Sequence, residues 1–440
     1  MDEIDQGLVD KVCEQYERFP FPDYSGKQLP TPSIANSDGL SRISSRLFGG
    51  RLDPSTMRVL VAGGGTGEKT LGLALQLAPF GGEVTHLDLS AASIAQARAG
   101  AEAVGLSNVR FVQGSIYDVA ALFPGERFHY VQCMGVLHHL PSPEAGLAAL
   151  RDILTDDGGM ALAVYASSGR MAVYLLKQAV ELLIDEDAPL AERMALGVQA
   201  FASLPAGHWL HHDRAVMQHL KTRGPRALLD AVLHTVDHHY SLDTFMDLID
   251  GAGLTFVDFC EPYSKIVMDY VAPYGFAPDL AARVRALPER RRRGFLEKFH
   301  GRLVVHSAYL SKAPRAKALP TAGLDVVPTQ TLFSTINIEV PPAEAGHRRI
   351  RIADRRFGGF ETGIADVAVE FLREIDGERT AREILTRLAE RRPPGTVSPE
   401  SLAAQVVDGA GAVLDLDLIS FADRSYSASR ARIAEARRGG

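Results

Sequence analysis

Apolar and polar positions divide this chain into stretches of different periodicity. Between residues 56 and 166, short apolar runs alternate with amphipathic segments. The runs at 58–62, 83–88, 109–113, 128–133 and 159–165 have the length and the β-branched content of buried strands. Helical patterns fall between them near 67–79, 91–104 and 143–154. Such alternation predicts a parallel sheet covered on both faces. Residues 167–240 interrupt the rhythm with a long, mainly helical insertion. The stretch 241–254, SLDTFMDLIDGAGL, reads as a helix closed by glycine, and 255–263 and 302–312 read as strands. Ahead of the sheet, residues 1–55 begin as an amphipathic helix that breaks at Pro20 and Pro22, which have no N–H to give.

After Lys312 the pattern changes again. Residues 313–330 form a Pro/Ala-rich linker without apolar period, including Pro314, Pro320 and Pro328. Beyond it come a strand in TLFSTINIEV and helices over 363–375, 380–391 and 398–414. Residues 331–424 are therefore expected to be a separable α+β domain, with a loose tail over 425–440. The string DGERTAREILTRL (376–388) resembles the helix-turn-helix portion of small winged-helix domains. A DNA-binding copy should be basic on its second helix, but here Arg379, Arg382, Arg387, Arg391 and Arg392 alternate with Glu378, Glu383 and Glu390.

Composition narrows the function classes. The 440 residues leave room for two or three domains, and 46% hydrophobic with 23% charged residues is ordinary for a globular chain. A net charge of −7 argues against a nucleic-acid partner. The one basic cluster, Arg290–Arg293, reads as a solvated helix face. Cys13, Cys133 and Cys260 lie too far apart for a disulfide framework or a metal spacing. No apolar run reaches membrane-spanning length and the acidic start MDEIDQ is no signal peptide, so no membrane contact and a cytoplasmic location are expected.

Chemistry concentrates in RVLVAGGGTGEKT (58–70). Gly63, Gly65 and Gly67 follow the first strand and precede a helix, and Asp88 ends the next strand 21 residues after Gly67. Glycines let a ligand approach the backbone, the helix start offers N–H groups, and the acid suits the vicinal hydroxyls of a ribose. The spacing G-x-G-x-G is one residue tighter than the dinucleotide fingerprint. It resembles motif I of the class I S-adenosylmethionine (SAM)-dependent methyltransferases. NVRFVQGSIYDV (108–119) resembles their third strand with its adenine-flanking loop, and residues 127–166 resemble their fourth and fifth strands with a D-G-G turn. The resemblance spans about residues 10–312 and is strongest over 58–166.

That resemblance implies a Rossmann-like doubly wound domain over 56–166 and 241–312, with the last two strands as an antiparallel pair at one sheet edge. The insertion 167–240 becomes a helical lid over the substrate. SAM is the implied cofactor and S-adenosylhomocysteine the product. Gly63, Gly65, Gly67, Asp88, Leu89, Ser115, Ile116, Met134 and Gly135 are the implied cofactor contacts. Val61 and Ser115 stand where the family often has acids. The string Y-E-x-F-P-F-P resembles an N-terminal segment of some bacterial methyltransferases that folds over the cofactor, where Tyr16 would reach the methionine end. Alternatively Phe19 and Phe21 pack on the core and Tyr16 caps a helix.

For proton transfer, His138 and His139 follow the fourth strand, and an imidazole with its ordinary pKa near 6.5 suits a general base; a structural hydrogen bond is the other reading. By resemblance, Asp237, His238 and Tyr240 would approach the acceptor; otherwise Ser241 simply caps the next helix. The insertion holds half of the 14 histidines: His208, His211, His212, His219, His234, His238 and His239. One helix cannot bring three of them to one ion, because His219 lies about 10 Å along the axis from His212 at ~1.5 Å per residue, so no metal is expected. The expected acceptor is a small molecule under the lid, near Trp209. Its rival is a peptide held by the C-terminal domain, and a third reading is an idle SAM-binding scaffold. The edge strand TLFSTINIEV favours a homodimer.

Overall fold

A computed structural model describes residues 4–22, 39–185, 188–315, 324–330, 336–339, 347–354, 360–410, 412–416 and 419–422. The expected tail, residues 316–323 of the expected linker and residues 331–335 of the expected edge strand lie outside the described residues.

Seven strands form the central sheet: β1 (Arg58–Ala62), β2 (Glu83–Asp88), β3 (Val109–Gln113), β4 (Phe128–Met134), β5 (Leu154–Tyr165), β6 (Thr255–Phe259) and β7 (Val305–Ser311). Their order is β3-β2-β1-β4-β5-β7-β6. β1 to β5 run parallel, while β7 lies antiparallel to both β5 and β6. The chain moves outward from β1 to β3 and then returns to pair β4 with β1, so strand order reverses between them. The period of two in β1 sorts its side chains: Leu60 and Ala62 enter one core layer with Val131 and Leu162, Val59 and Val61 the other with Val84 and Tyr130. Each fully buried Val or Leu contributes about 1.5–3 kcal/mol to this core. The D-G-G segment does not precede β5 but bulges from it, since Phe128 pairs with Leu154 and Tyr130 with Gly159.

Helices cover both faces. Before β5 come α1 (Gln6–Arg18), α2 (Leu40–Phe48), α3 (Glu68–Leu77), α4 (Ala91–Ala103), α5 (Val119–Leu122) and α6 (Pro143–Asp152). The insertion folds as α7 (Met171–Glu181), α8 (Leu190–Ala202), α9 (Arg214–Arg223) and α10 (Pro225–Ala231), with an apolar core of its own around Leu176, Leu210, Leu220 and Leu229. Phe19 and Phe21, beyond α1, pack against this core. α11 (Leu242–Gly251) starts at Ser241, whose side chain accepts from the Thr244 N–H. Between β6 and β7 lie three helices, α12 (Pro262–Asp269), α13 (Pro278–Arg285) and α14 (Glu289–His300). The arginine cluster on α14 is not merely solvated. Arg290 reaches Asp243, Asp247 and Asp250 of α11, and Arg293, little exposed, pairs with Asp269.

The C-terminal module begins earlier than its linker-like composition predicts. Residues 327–330 are strand β8, paired antiparallel with Ile419–Ala422. β9 (Ile336–Glu339), β10 (His347–Asp354) and β11 (Phe360–Ala365) form a second, antiparallel sheet. Helices Asp366–Glu374, Ala381–Glu390, Pro399–Ala410 and Ala412–Asp415 complete it among the described residues. The D-G-E-R-T turn has a local cause. Asp376 accepts from the Glu378 and Arg379 N–H groups, and Thr380 with Glu383 forms a reciprocal capping box.

This module does not only build its own core. Ile266 of α12 belongs to the same apolar cluster as Val326, Ile352 and Ile419, and α2 packs on the Ile419–Ala422 strand. Beneath the contact lies a buried charge cluster. Asp258 of β6 pairs with Arg46 at 2.7 Å and Lys265 at 2.8 Å; Lys265 also meets Asp269 at 3.1 Å and Asp415 of the module at 3.5 Å. Burial alone would raise the Asp258 carboxyl, but Arg46 and Lys265 outweigh it and hold it below its ordinary range. A carboxyl lowered in this way contributes stability above its unfolded pKa that is lost as pH falls through the folded value. Replacing Asp258 by Ala removes the buried carboxylate that Arg46 and Lys265 share, so a loss of about 3–5 kcal/mol is expected in urea unfolding. The exposed Asp247→Ala should leave the midpoint in place, and equal midpoints for the two variants would show that the buried cluster holds nothing together.

Candidate functional site

The carboxyl ends of β1 to β5 open into one cavity of about 540 Å³, within the range of small-ligand sites. Its floor is the glycine turn after β1. Gly63, Gly65 and Gly67 all have positive φ, of 69°, 53° and 99°. At Gly65 the requirement is double: a Cβ would also sit 2.7 Å from the Phe21 carbonyl oxygen. Gly67 caps α3 and meets Ala97 of α4, so it serves helix packing and does not line the cavity. Gly135, at φ 79° after β4, has nothing within 4 Å of where a Cβ would stand.

Asp88 ends β2 with both carboxylate oxygens engaged. Oδ2 accepts from the Gly65 N–H at 2.7 Å and Oδ1 from the Ser90 N–H at 2.9 Å. Burial raises this carboxyl, and the backbone donors of Ser90, Gly65 and Leu89 pull it back. Each oxygen keeps further lone-pair capacity for a hydroxyl. Leu89, Ser115, Ile116, Met134 and Gly135 line the same cavity, as do Gly63 and Tyr16. Nine of the ten expected cofactor residues thus converge. Ser115 also accepts from the Tyr117 N–H at 3.2 Å, which explains a serine at the start of that turn. The geometry fits a nucleoside cofactor: open backbone at Gly135, a glycine turn at the cavity floor, and a buried acceptor at Asp88.

The expected catalytic side chains distribute differently. Only His139 lines the cavity; His138, His238 and Tyr240 do not. His138 is buried, its ring 3.8 Å from that of Tyr165, and its carbonyl accepts from the His238 N–H at 2.9 Å. His139 stacks on His234 at 3.7 Å and its Nδ1 lies 2.8 Å from the Val236 carbonyl, which assigns it the proton. Burial pulls His139 down to about 3 and His138 well below its usual value. Both therefore stay neutral and are weak bases. Tyr240 joins the main core, and its N–H donates to the Tyr165 carbonyl at 2.9 Å, extending the sheet by one bridge at Ala166. Asp237 lies off the cavity, and Trp209 is 59% exposed instead of lining the acceptor space.

In their place the structure brings four residues together at the end of β5. The Tyr16 hydroxyl donates to Asp230 Oδ1 at 2.8 Å, and Tyr165 to Oδ2 at 3.4 Å. Burial pushes Asp230 up to about 6, against the lowering pull of Tyr16, Arg170 and Tyr165. The Arg170 guanidinium lies over the Tyr165 ring, 3.4 Å from its centroid. All four line the cavity. Sequence inspection missed Tyr165, Arg170 and Asp230 because they stand 65 residues apart at the extremes and belong to no motif. Their one signal was position: Tyr165 closes a strand whose neighbours all carry site residues at the same end. Among the described residues no group of three or more His, Cys, Asp or Glu converges as a metal site. No helix among them is long and apolar enough to cross a membrane.

Comparison with known proteins agrees with this geometry. A family model described as a methyltransferase domain matches residues 59–158. An uncharacterized protein of Synechococcus sp. is 30% identical over 312 residues, covering 70% of this chain and 72% of that one. The tRNA 5-carboxymethoxyuridine methyltransferase of Escherichia coli K12 is 33% identical over 119 residues, 27% of this chain and 44% of that enzyme. Among solved structures, PKMT2 from Rickettsia typhi in complex with AdoHcy superposes with a TM-score of 0.58 at 15% identity, covering 87% of this chain and 75% of that one. The chain belongs to the class I SAM-dependent methyltransferases.

Proposed function

We propose that this enzyme methylates a small molecule held between the end of β5 and the helical insertion. One observation carries the reading: a single cavity runs from Asp88 and Ser115 to Tyr165 and Asp230, roofed by Tyr16, Phe21 and Pro22 and walled by Val216, His219 and Leu220. A space closed by both an N-terminal segment and an insertion suits a small acceptor better than a peptide. SAM supplies a methyl group on a positively charged sulfur. Gly63, Gly65, Asp88, Leu89, Ser115, Ile116, Met134, Gly135 and Tyr16 are proposed to hold it. The chain's contribution is chiefly placement and exclusion of water, which together can lower a barrier by roughly 7–11 kcal/mol at the upper limit.

Asp230 is the proposed proton acceptor, in preference to His138, His139, His238 or Tyr240. Its two tyrosine partners leave the carboxylate oriented, and its raised value puts the change from acid to base near neutral pH. We also propose a homodimer, supported by β9, which has a neighbour on one side only among the described residues. Cys13, Cys133 and Cys260, none of them in a disulfide among the described residues, fit a cytoplasmic setting.

Four measurements test these points. Calorimetric titration with S-adenosylhomocysteine should give a saturable isotherm, and Asp88→Ala should weaken it by about 1.5–3 kcal/mol; unchanged affinity would remove Asp88 from the site. Incubation with labelled SAM and a cell extract split by size should place label in the small-molecule fraction; label confined to protein would favour the peptide reading. The rate of transfer should fall as pH drops through about 6, where Asp230 takes up a proton, and Asp230→Asn should be slow across the whole range. A full-length chain that runs as a monomer in light scattering would overturn the dimer.

A further inference from the structure

Arg170 is an expensive residue in its place. It is 5% exposed, follows β5 in the turn before α7, and lines the acceptor end of the cavity. A buried guanidinium needs partners for five N–H donors. Nε donates to the Tyr174 hydroxyl at 3.1 Å, and Nη2 to the Ala231 carbonyl. Nη1 has no hydrogen-bond acceptor among the described residues, and it is not among the buried atoms sealed from solvent. Among the described residues no carboxylate lies within ion-pair distance of Arg170, whereas Arg46, Arg110 and Arg293 each have one. Burial holds His138 and His139 well below their usual range, so these two rings add no competing positive charge beside Arg170. Stacking on Tyr165 fixes the plane of the fork, the arrangement that suits bidentate recognition of a carboxylate.

We propose that the acceptor is a small carboxylic acid whose carboxylate is held by Arg170, with its apolar body against Leu220, Val304 and Val305 and its nucleophilic group turned toward Asp230. The inference rests on the acceptor site proposed above. Arg170 is assigned to the acceptor and not to the cofactor's own carboxylate by its place: it lies beyond β5, while the glycine turn and Asp88 lie at β1 and β2. Arg170 and Asp230 both border Tyr165, so one short molecule can reach both.

The full-length chain saturated with S-adenosylhomocysteine is titrated with benzoate and with benzamide, its neutral isostere. Benzoate is expected to bind about tenfold or more tightly, and Arg170→Gln to abolish that preference while Arg170→Lys keeps part of it. Equal binding of the two probes to the unaltered protein would overturn the proposal, whether or not the variants fold. A second overturning result is specific to the cofactor. If Arg170→Gln loses S-adenosylhomocysteine affinity but keeps that for methylthioadenosine, which lacks the amino-acid end, Arg170 serves the cofactor. Failure of the unaltered chain to bind S-adenosylhomocysteine would instead overturn the site reading itself, and this inference with it.

Discussion

The carboxylate of Asp88 is the contact on which the cofactor half of the molecule depends. Its two oxygens hold the glycine turn after β1 and the start of the turn into α4. Four of the five turn residues are glycines, the side chain of Thr66 donates to the Pro22 carbonyl, and three left-handed glycines are costly to order. An acid from the neighbouring strand supplies a further restraint. The same residue that would meet a ribose therefore also shapes the floor beneath it. Ser90, next in line, extends the arrangement by donating to Glu17 at 2.8 Å and capping α4, which ties α1 to the sheet. From Asp88 outward, then, each contact recruits the next element of the roof.

A second constraint operates at the far edge. β6 ends the sheet, and its buried Asp258 draws Arg46 from α2 and Lys265 from α12 to one point. Asp415 of the C-terminal module adds a further charge beside Asp269, and the Tyr270 hydroxyl donates to it at 2.7 Å. Ion pairs of this kind seldom add much net stability over apolar packing, but they tolerate little misplacement. The cluster thus specifies where the module sits more than how tightly. Arg46 reinforces the register by donating to the Asp415 carbonyl at 2.9 Å.

Strand and helix periodicity made the central sheet legible from sequence, because each element there repeats at its own period and ends at a glycine, proline or capping serine. Gly63, Gly65, Asp88 and Ser115 were legible for the same reason: they sit at fixed offsets from strand ends. The acceptor side was not. Tyr165, Arg170 and Asp230 meet only through the folding of the insertion, a tertiary event with no local signature. Adjacent His138 and His139 drew attention because imidazole is chemically versatile, yet burial without a charge partner leaves both neutral. Residues 327–330 read as linker since Pro328 disfavours a central strand, but β8 has a partner on one side only and tolerates it. Helices α12 and α13 were hidden by short, Pro-punctuated patterns, whereas the arginine run of α14 read as a helix face.

The bond from Tyr16 to Asp230 joins residues 214 positions apart across the top of the cavity. It spans from the N-terminal segment to the insertion like a latch. Opening that bond costs about 1.5–3 kcal/mol, the range for a hydrogen bond to a charged group. Such a cost corresponds to an open population of roughly 0.1–10%. Because the latch ends on the acceptor-side carboxylate, a proton taken up by Asp230 weakens the tie between the N-terminal segment and the insertion.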